Sequence, residues 1–131
     1  AFWALNTLLE SRSRWNIVIS HHPWYSFGDT NCDPELNIFF KKLNNTKKVD
    51  LIISAHENNQ QHIYIPNKPN MIISGVGSQN KQYPIIKLFK QLKFKSEELG
   101  CVIIEPYKNK LDISFYNIYK SKLNNFSIHK Y

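Results

Sequence analysis

The sequence predicts an α/β fold in which the first strands run parallel through a βαβ crossover and the later strands form antiparallel hairpins. Two observations carry this. Up to Ser54, helical spacing of apolar residues alternates with short β-branched runs, and beyond residue 60 strand-like runs are separated by turn residues. Taken in order, Leu5, Leu8, Leu9 and Arg12 fall at helical spacing, so residues 2 to 12 read as a helix whose apolar stripe includes Phe2. Trp15 to Ile19 is nearly all apolar, the pattern of a strand covered on both faces. Pro23, Gly28, Asp29, Asn31 and Asp33 make His21 to Pro34 a loop. Asp33 and Pro34 then supply an N-cap and first helical residue, followed by Leu36, Phe39, Phe40 and Leu43 at i, i+3, i+4 and i+7. VDLIIS, 49 to 54, is a second buried strand, and a helix between two such strands predicts a crossover with parallel pairing. Further strands are expected at 62–65, 71–74, 101–105, 111–117 and 126–131, with PYKNK closing a hairpin. The polar, basic span 78–98 carries a part-helical pattern and receives no assignment.

A chain of 131 residues with 42% hydrophobic and 14% aromatic composition folds around a core and is no solvated tail. No apolar run approaches the roughly 20 residues of a membrane span, and the first residues lack the charged-then-apolar order of a signal peptide. Ala1 opens inside a helical pattern, which predicts further sequence upstream and a single partial domain over 1–131. The net charge of +7 comes from 15 lysines and only two arginines. With arginine so scarce and no recognisable binding motif, this reads as a lysine-rich solvated surface and not as a nucleic-acid interface. Cys32 and Cys101 each fit a buried thiol or half of a disulfide.

The chemistry gathers at histidines. His21 and His22 follow the first apolar run directly, and His56 follows the second. Ligands of open α/β sheets sit at the carboxyl ends of the strands, so these three are expected on one rim. Neutral imidazole is a common transition-metal ligand, but a strand-end histidine can equally hydrogen-bond loop backbone, and no local HxxxH, CxxC or DxH pair is present. His62 and His129 read as structural or surface residues. Asp50, Glu57 and Asp112 read as solvated or locally hydrogen-bonded carboxylates.

Val18-Ile19-Ser20-His21, continuing His22-Pro23-Trp24-Tyr25-Ser26, resembles the VxxH metal-ligand motif and following loop of purple acid phosphatases, which are calcineurin-like metallophosphoesterases. Val49 to Gln61 is similar to that family's VDL strand and GHxH followed by glutamine, and Ile72 to Ser78 to its SGAG turn. Gly100-Cys101-Val102 is similar to the start of its final strands, and Trp3 to Leu9 to the helix before VxxH. The resemblance covers the C-terminal half of the family domain, without the segments that carry DxG, GDxxY and GNH(D/E). It implies part of a metallophosphoesterase β-sandwich flanked by helices, α/β/β/α, with the N-terminal half of the same domain as a partner.

It also implies a dinuclear site for Fe-, Zn- or Mn-type ions that activates a phosphate ester and a water. His21 and His56 would be ligands and His22 a supporting residue beside them. The second histidine of GHxH is replaced by Asn58, a much weaker ligand for iron or zinc, so the dinuclear site is expected to be incomplete. Ala55 stands where the motif has glycine, and a Cβ at a turn of unusual backbone conformation would displace His56. No histidine follows in the loop after Pro23. Asp29 or Thr30 stands roughly where the family has its substrate-contacting histidine, and Asp29 is the weak acid candidate. The expected function is therefore an interaction or scaffold module with a lapsed catalytic site and protein partners. The alternative is an active phosphomonoesterase with a phosphate ester as substrate. By the same resemblance, the expected setting is the secretory pathway or a membrane surface.

Overall fold

The computed structural model describes residues 2–28, 31–77 and 89–131. Helix α1 (Phe2–Glu10) leads to β1 (Ile17–Ser20), α2 (Pro34–Asn45) and β2 (Leu51–Ser54). Then come β3 (Gln60–Ile63), β4 (Asn70–Ser74), β5 (Leu92–Ser96), β6 (Gly100–Pro106), β7 (Lys110–Asn117) and β8 (Lys122–His129). The larger sheet has the order β1-β2-β4-β3-β5, with β1, β2 and β4 parallel and β3 antiparallel to both of its neighbours. The smaller sheet, β6-β7-β8, is a fully antiparallel meander. Helix α2 begins as its sequence demands: the Asp33 carboxylate accepts from Glu35 N (2.8 Å) and Leu36 N (3.3 Å), and Pro34 follows at the first position.

Two apolar layers hold the molecule. One lies between the helices and the larger sheet, where Leu8, Phe40 and Leu43 meet Ile52, Met71 and Ile73. The other lies between the sheets, where Leu51 and Ile72 meet Leu111, Ile113 and Phe115. Alternate residues of β2 serve alternate layers, Ile52 the helices and Leu51 the second sheet, as the period of a strand requires. Three layers of the expected α/β/β/α arrangement are thus present among the described residues. The parallel crossover and the antiparallel hairpin both form where expected.

Strand β1 departs from expectation, because it is not covered on both faces. Ile19 is 78% exposed and Ile17 37%. The register pairs Ile19 with Ile53, which faces the smaller sheet, and β1 is the edge strand, beyond the reach of that sheet. In the unassigned span, Leu92–Ser96 is a strand paired with β3, and 78–88 lie outside the described residues. Cys32 and Cys101 are both free thiols. No helix among the described residues is long and apolar enough to cross a membrane.

Candidate metal centre

The carboxyl ends of β1 and β2 are fastened together before any functional side chain is placed. The Ser20 and Ser54 hydroxyls share a hydrogen bond (3.1 Å), Ser20 Oγ also donates to the carbonyl of His22 (2.9 Å), and Ala55 N donates to the carbonyl of His21 (3.1 Å). Beyond them the HPWYS loop is anchored by Trp24, which is buried, stacks on Phe40 at 5.6 Å and donates from Nε1 to Asn37 Oδ1 (2.9 Å). An indole with its N–H satisfied inside the helix-side core makes a firm peg for the loop that carries His21 and His22.

His56 sits at the centre of a three-residue turn in which Glu57 N donates to the carbonyl of Ala55 (2.6 Å), and its own φ is +56°. Left-handed backbone at a non-glycine residue is strain of the kind that collects at functional sites. Ala55 is not among the residues with positive φ. The glycine-to-alanine change at 55 therefore does not force the displacement anticipated for it, because the unusual dihedral belongs to the histidine. The turn is held from below: a Cβ on Gly75 would lie 1.7 Å from the carbonyl oxygen of Glu57, and Gly75 N donates to the carbonyl of Asn59 (3.1 Å). Only glycine permits that approach.

The three imidazoles converge. His56 Nδ1 lies 3.2 Å from His21 Nε2, and one ring nitrogen from each of His21, His22 and His56 falls within 4.8 Å of the others. Ring centroids are 4.9 Å apart for His21 and His22, 5.2 Å for His21 and His56, and 4.2 Å for His22 and His56. All three rings are exposed, so the rim is open to an ion from solvent. The fit to a metal is good where it can be read. With Zn–N bonds of about 2.0–2.1 Å, adjacent ligands of a tetrahedral ion stand about 3.3–3.4 Å apart, close to the observed separation of His21 and His56.

Asn58 is half-buried in the loop between β2 and β3, two residues beyond His56. Asp29 and Thr30 lie outside the described residues. His62 is apart from the rim in the strand-to-strand packing, and Asp50 ties strands together at the opposite end of the sheet.

Beneath the rim lies a polar layer with little signal in sequence. Gln61 is fully buried, accepts from Phe27 N (3.0 Å) and donates to Asn59 Oδ1 (2.8 Å). Gln60, also fully buried, donates to the carbonyls of Glu98 (3.3 Å) and Tyr116 (3.2 Å) and so joins the two sheets. The sequence signal was only that two glutamines follow the histidine loop. Asn31 and Asp33 were also missed as neighbours of the site, since they line a surface pocket together with His22, Leu36 and His56. Nearby, burial and then the Asp33 carboxylate push the Cys32 thiol up, which leaves it a poor nucleophile.

Comparison with known proteins agrees with this architecture. The calcineurin-like phosphoesterase family model matches residues 1–60. Purple acid phosphatase 17 of Arabidopsis thaliana is 28% identical over 117 residues, covering 86% of this chain and 35% of the relative, so the chain spans about a third of that protein's length. Among solved structures, the GAP50 anchor in the inner membrane complex of Plasmodium superposes with a TM-score of 0.84 at 22% identity, covering 97% of this chain and 40% of that one. A purple acid phosphatase from yellow lupin (Lupinus luteus) seeds gives 0.79 at 14% identity, covering 98% of this chain and 28% of that one. In its fold, its matched residues and these relatives, the chain is similar to purple acid phosphatases and to calcineurin-like phosphoesterases.

Proposed function

We propose that this chain is part of a metallophosphoesterase-type domain whose dinuclear centre has decayed, and that the domain acts as an interaction scaffold in place of a phosphatase. The observation that carries this reading is Asn58. A neutral amide replaces the second imidazole of GHxH, so His21 and His56 are left as the recognisable ligands on this side of the site. Bound metal in this family would supply positive charge to a phosphate ester and a more acidic water, which Asn58 supports poorly. Asp29 is a poor substitute for a substrate-contacting histidine, because an ordinary carboxylic acid has lost its proton at neutral pH.

The scaffold role draws support from the likeness to the GAP50 anchor and from the unpaired, apolar edge of the larger sheet. Trp3 is 74% exposed and Ile19 78%, on a groove that also includes Leu8 and Ile17. Such a surface takes up another polypeptide: the N-terminal half of the same domain first, and protein partners beyond it.

A second reading, an active metal-dependent acid phosphatase hydrolysing phosphomonoesters, is favoured by one observation, the gathering of three imidazoles on the rim. Turnover of p-nitrophenyl phosphate by the full-length protein separates the two. The scaffold reading expects no turnover above background in Zn2+, Mn2+ or Fe2+, and a gain in metal occupancy on Asn58→His. Turnover abolished by His21→Ala would establish the phosphatase.

A further inference from the structure

The family pattern gives His21 and His56 as ligands and leaves His22 beside them, yet in the fold His22 stands with them as an equal. Its ring lies 4.2 Å from that of His56 and 4.9 Å from that of His21, centroid to centroid. We propose that His21, His22 and His56 form a three-imidazole site for one borderline divalent cation, with Zn2+ as the reference ion and His22 standing in for the ligand lost at position 58. The proposal rests on the reading that the inherited dinuclear centre has decayed.

Four observations support it. The closest pair, His21 Nε2 and His56 Nδ1 at 3.2 Å, already has nearly the separation of two ligands on one tetrahedral ion. The third nitrogen lies within 4.8 Å of both, and an exposed side chain closes a gap of that size by a change of rotamer. The backbone under each imidazole is fixed: His21 and His22 by the Ala55 N and Ser20 Oγ hydrogen bonds, and His56 by its left-handed turn. Finally, the pocket that opens from His22 and His56 also presents Asn31 and Asp33, with no lysine or arginine among its described lining residues. A carboxylate beside imidazoles favours a cation over a free phosphate group.

The donor set also selects among ions. Three neutral nitrogens suit Zn2+, Co2+, Ni2+ or Cu2+, whereas Mg2+ and Mn2+ prefer carboxylate and water oxygens. The inherited two-metal site would instead draw on oxygen ligands from elsewhere in the domain. A single nitrogen-only site needs none.

The test is metal binding by the full-length protein, stripped with chelator. Co2+ is followed by its visible absorption and Zn2+ by titration calorimetry, alongside p-nitrophenyl phosphate turnover. Wild type should take up one equivalent of either ion, with the intense absorption of low-coordinate Co2+, and should ignore Mg2+. Loss of an outer-shell partner already costs roughly 10–100-fold in metal affinity, so His22→Ala should weaken binding at least that much. Asn58→Ala and the distant control His129→Ala should bind as wild type. His22 is exposed, so its variant should keep the wild-type circular dichroism and melting profile. Wild-type affinity in His22→Ala, with binding lost in His21→Ala and His56→Ala, would overturn the three-imidazole site and leave the decayed-centre reading standing. No uptake by wild type would overturn the site alone. A second equivalent accompanied by phosphate-ester turnover would overturn the decayed-centre reading whatever His22 does.

Discussion

His62 shows how a histidine of this chain can serve structure alone. Its ring stacks on Phe126 of the smaller sheet at a centroid distance of 3.6 Å, with planes 3° apart, and its Nε2–H donates to Asn70 Oδ1 (2.9 Å). Burial pushes its pKa below the usual 6.5; the Asn70 hydrogen bond works the other way, and the Lys93 charge adds to the lowering. The unfolded imidazole thus takes up its proton at a higher pH than the folded one. The contribution of His62 is complete above the unfolded value and is lost as pH falls from there through the folded one. Urea titrations across about pH 7 to 5 should show stability falling with pH, and His62→Gln should flatten that slope. An unchanged slope would assign it to other groups.

Asp50 is the second structural residue of this kind. It accepts from Asn16 N (2.8 Å) and pairs with Lys130 Nζ at 2.7 Å, so one carboxylate ties the entry to β1, the entry to β2 and the chain beyond β8. The carboxylate is mostly buried, and Asp50→Ala removes the acceptor of Asn16 N and the ion pair of Lys130, which keeps its bond to the Arg14 carbonyl, at a cost of about 1–3 kcal/mol in chemical denaturation. The structure holds Asp50 by a backbone hydrogen bond and an ion pair, and His62 in the packing between the sheets. The partners were not legible, since Phe126 and Lys130 lie more than sixty residues away in the chain.

At the scale of elements, the segment His21 to Tyr25 is held in place because Trp24 is docked on α2. Trp24→Ala empties a buried site against Phe40 and should cost about 3–5 kcal/mol, with weaker metal binding as the imidazoles lose their support. Trp24→Phe keeps a ring but drops the bond to Asn37, for about 1 kcal/mol. Denaturation of the two variants checks both values. Gly75→Ala should be equally informative, because its Cβ would meet the backbone of Glu57 beside His56. A loss of about 2–3 kcal/mol together with weaker metal binding is expected.

Element type was readable wherever local pattern decides it: the Asp33-Pro34 start of α2, the 3.6-residue stripe that follows, and the apolar run of β2. Strand β3 was placed two residues late, because Gln60 and Gln61 look like loop while their burial depends on Phe27 and the carbonyls of Glu98 and Tyr116. Strand β5 escaped notice because its alternation, Leu92-Lys93-Phe94-Lys95, sits within a run that also satisfies helical spacing. That His22 would share the rim was legible; that its ring would come within 4.2 Å of that of His56 was not, because this depends on how the loop after β1 folds.

Across the whole molecule, the two layers behind β2 are complete and the surface outside β1 is not. Ile19 lies on the face that the smaller sheet covers for Ile53 but fails to reach for β1. That an apolar strand would form was legible in the sequence. That it would stand at an edge was not, because strand order is a property of the complete sheet. If further polypeptide covers this edge in the full-length protein, Ile19→Lys should lower its stability by about 1.5–3 kcal/mol, the worth of a buried isoleucine. The same change in residues 1–131 alone should instead reduce self-association, as seen by light scattering.

The central claim, a phosphoesterase fold that keeps an imidazole cluster but has lost its two-metal chemistry, is tested most directly by counting metal ions in the purified full-length protein while assaying phosphomonoester turnover on the same sample. The account predicts no more than one tightly held divalent ion per chain, of the nitrogen-preferring class, and no turnover above background. Two ions per chain, with turnover that disappears in His21→Ala, would contradict it.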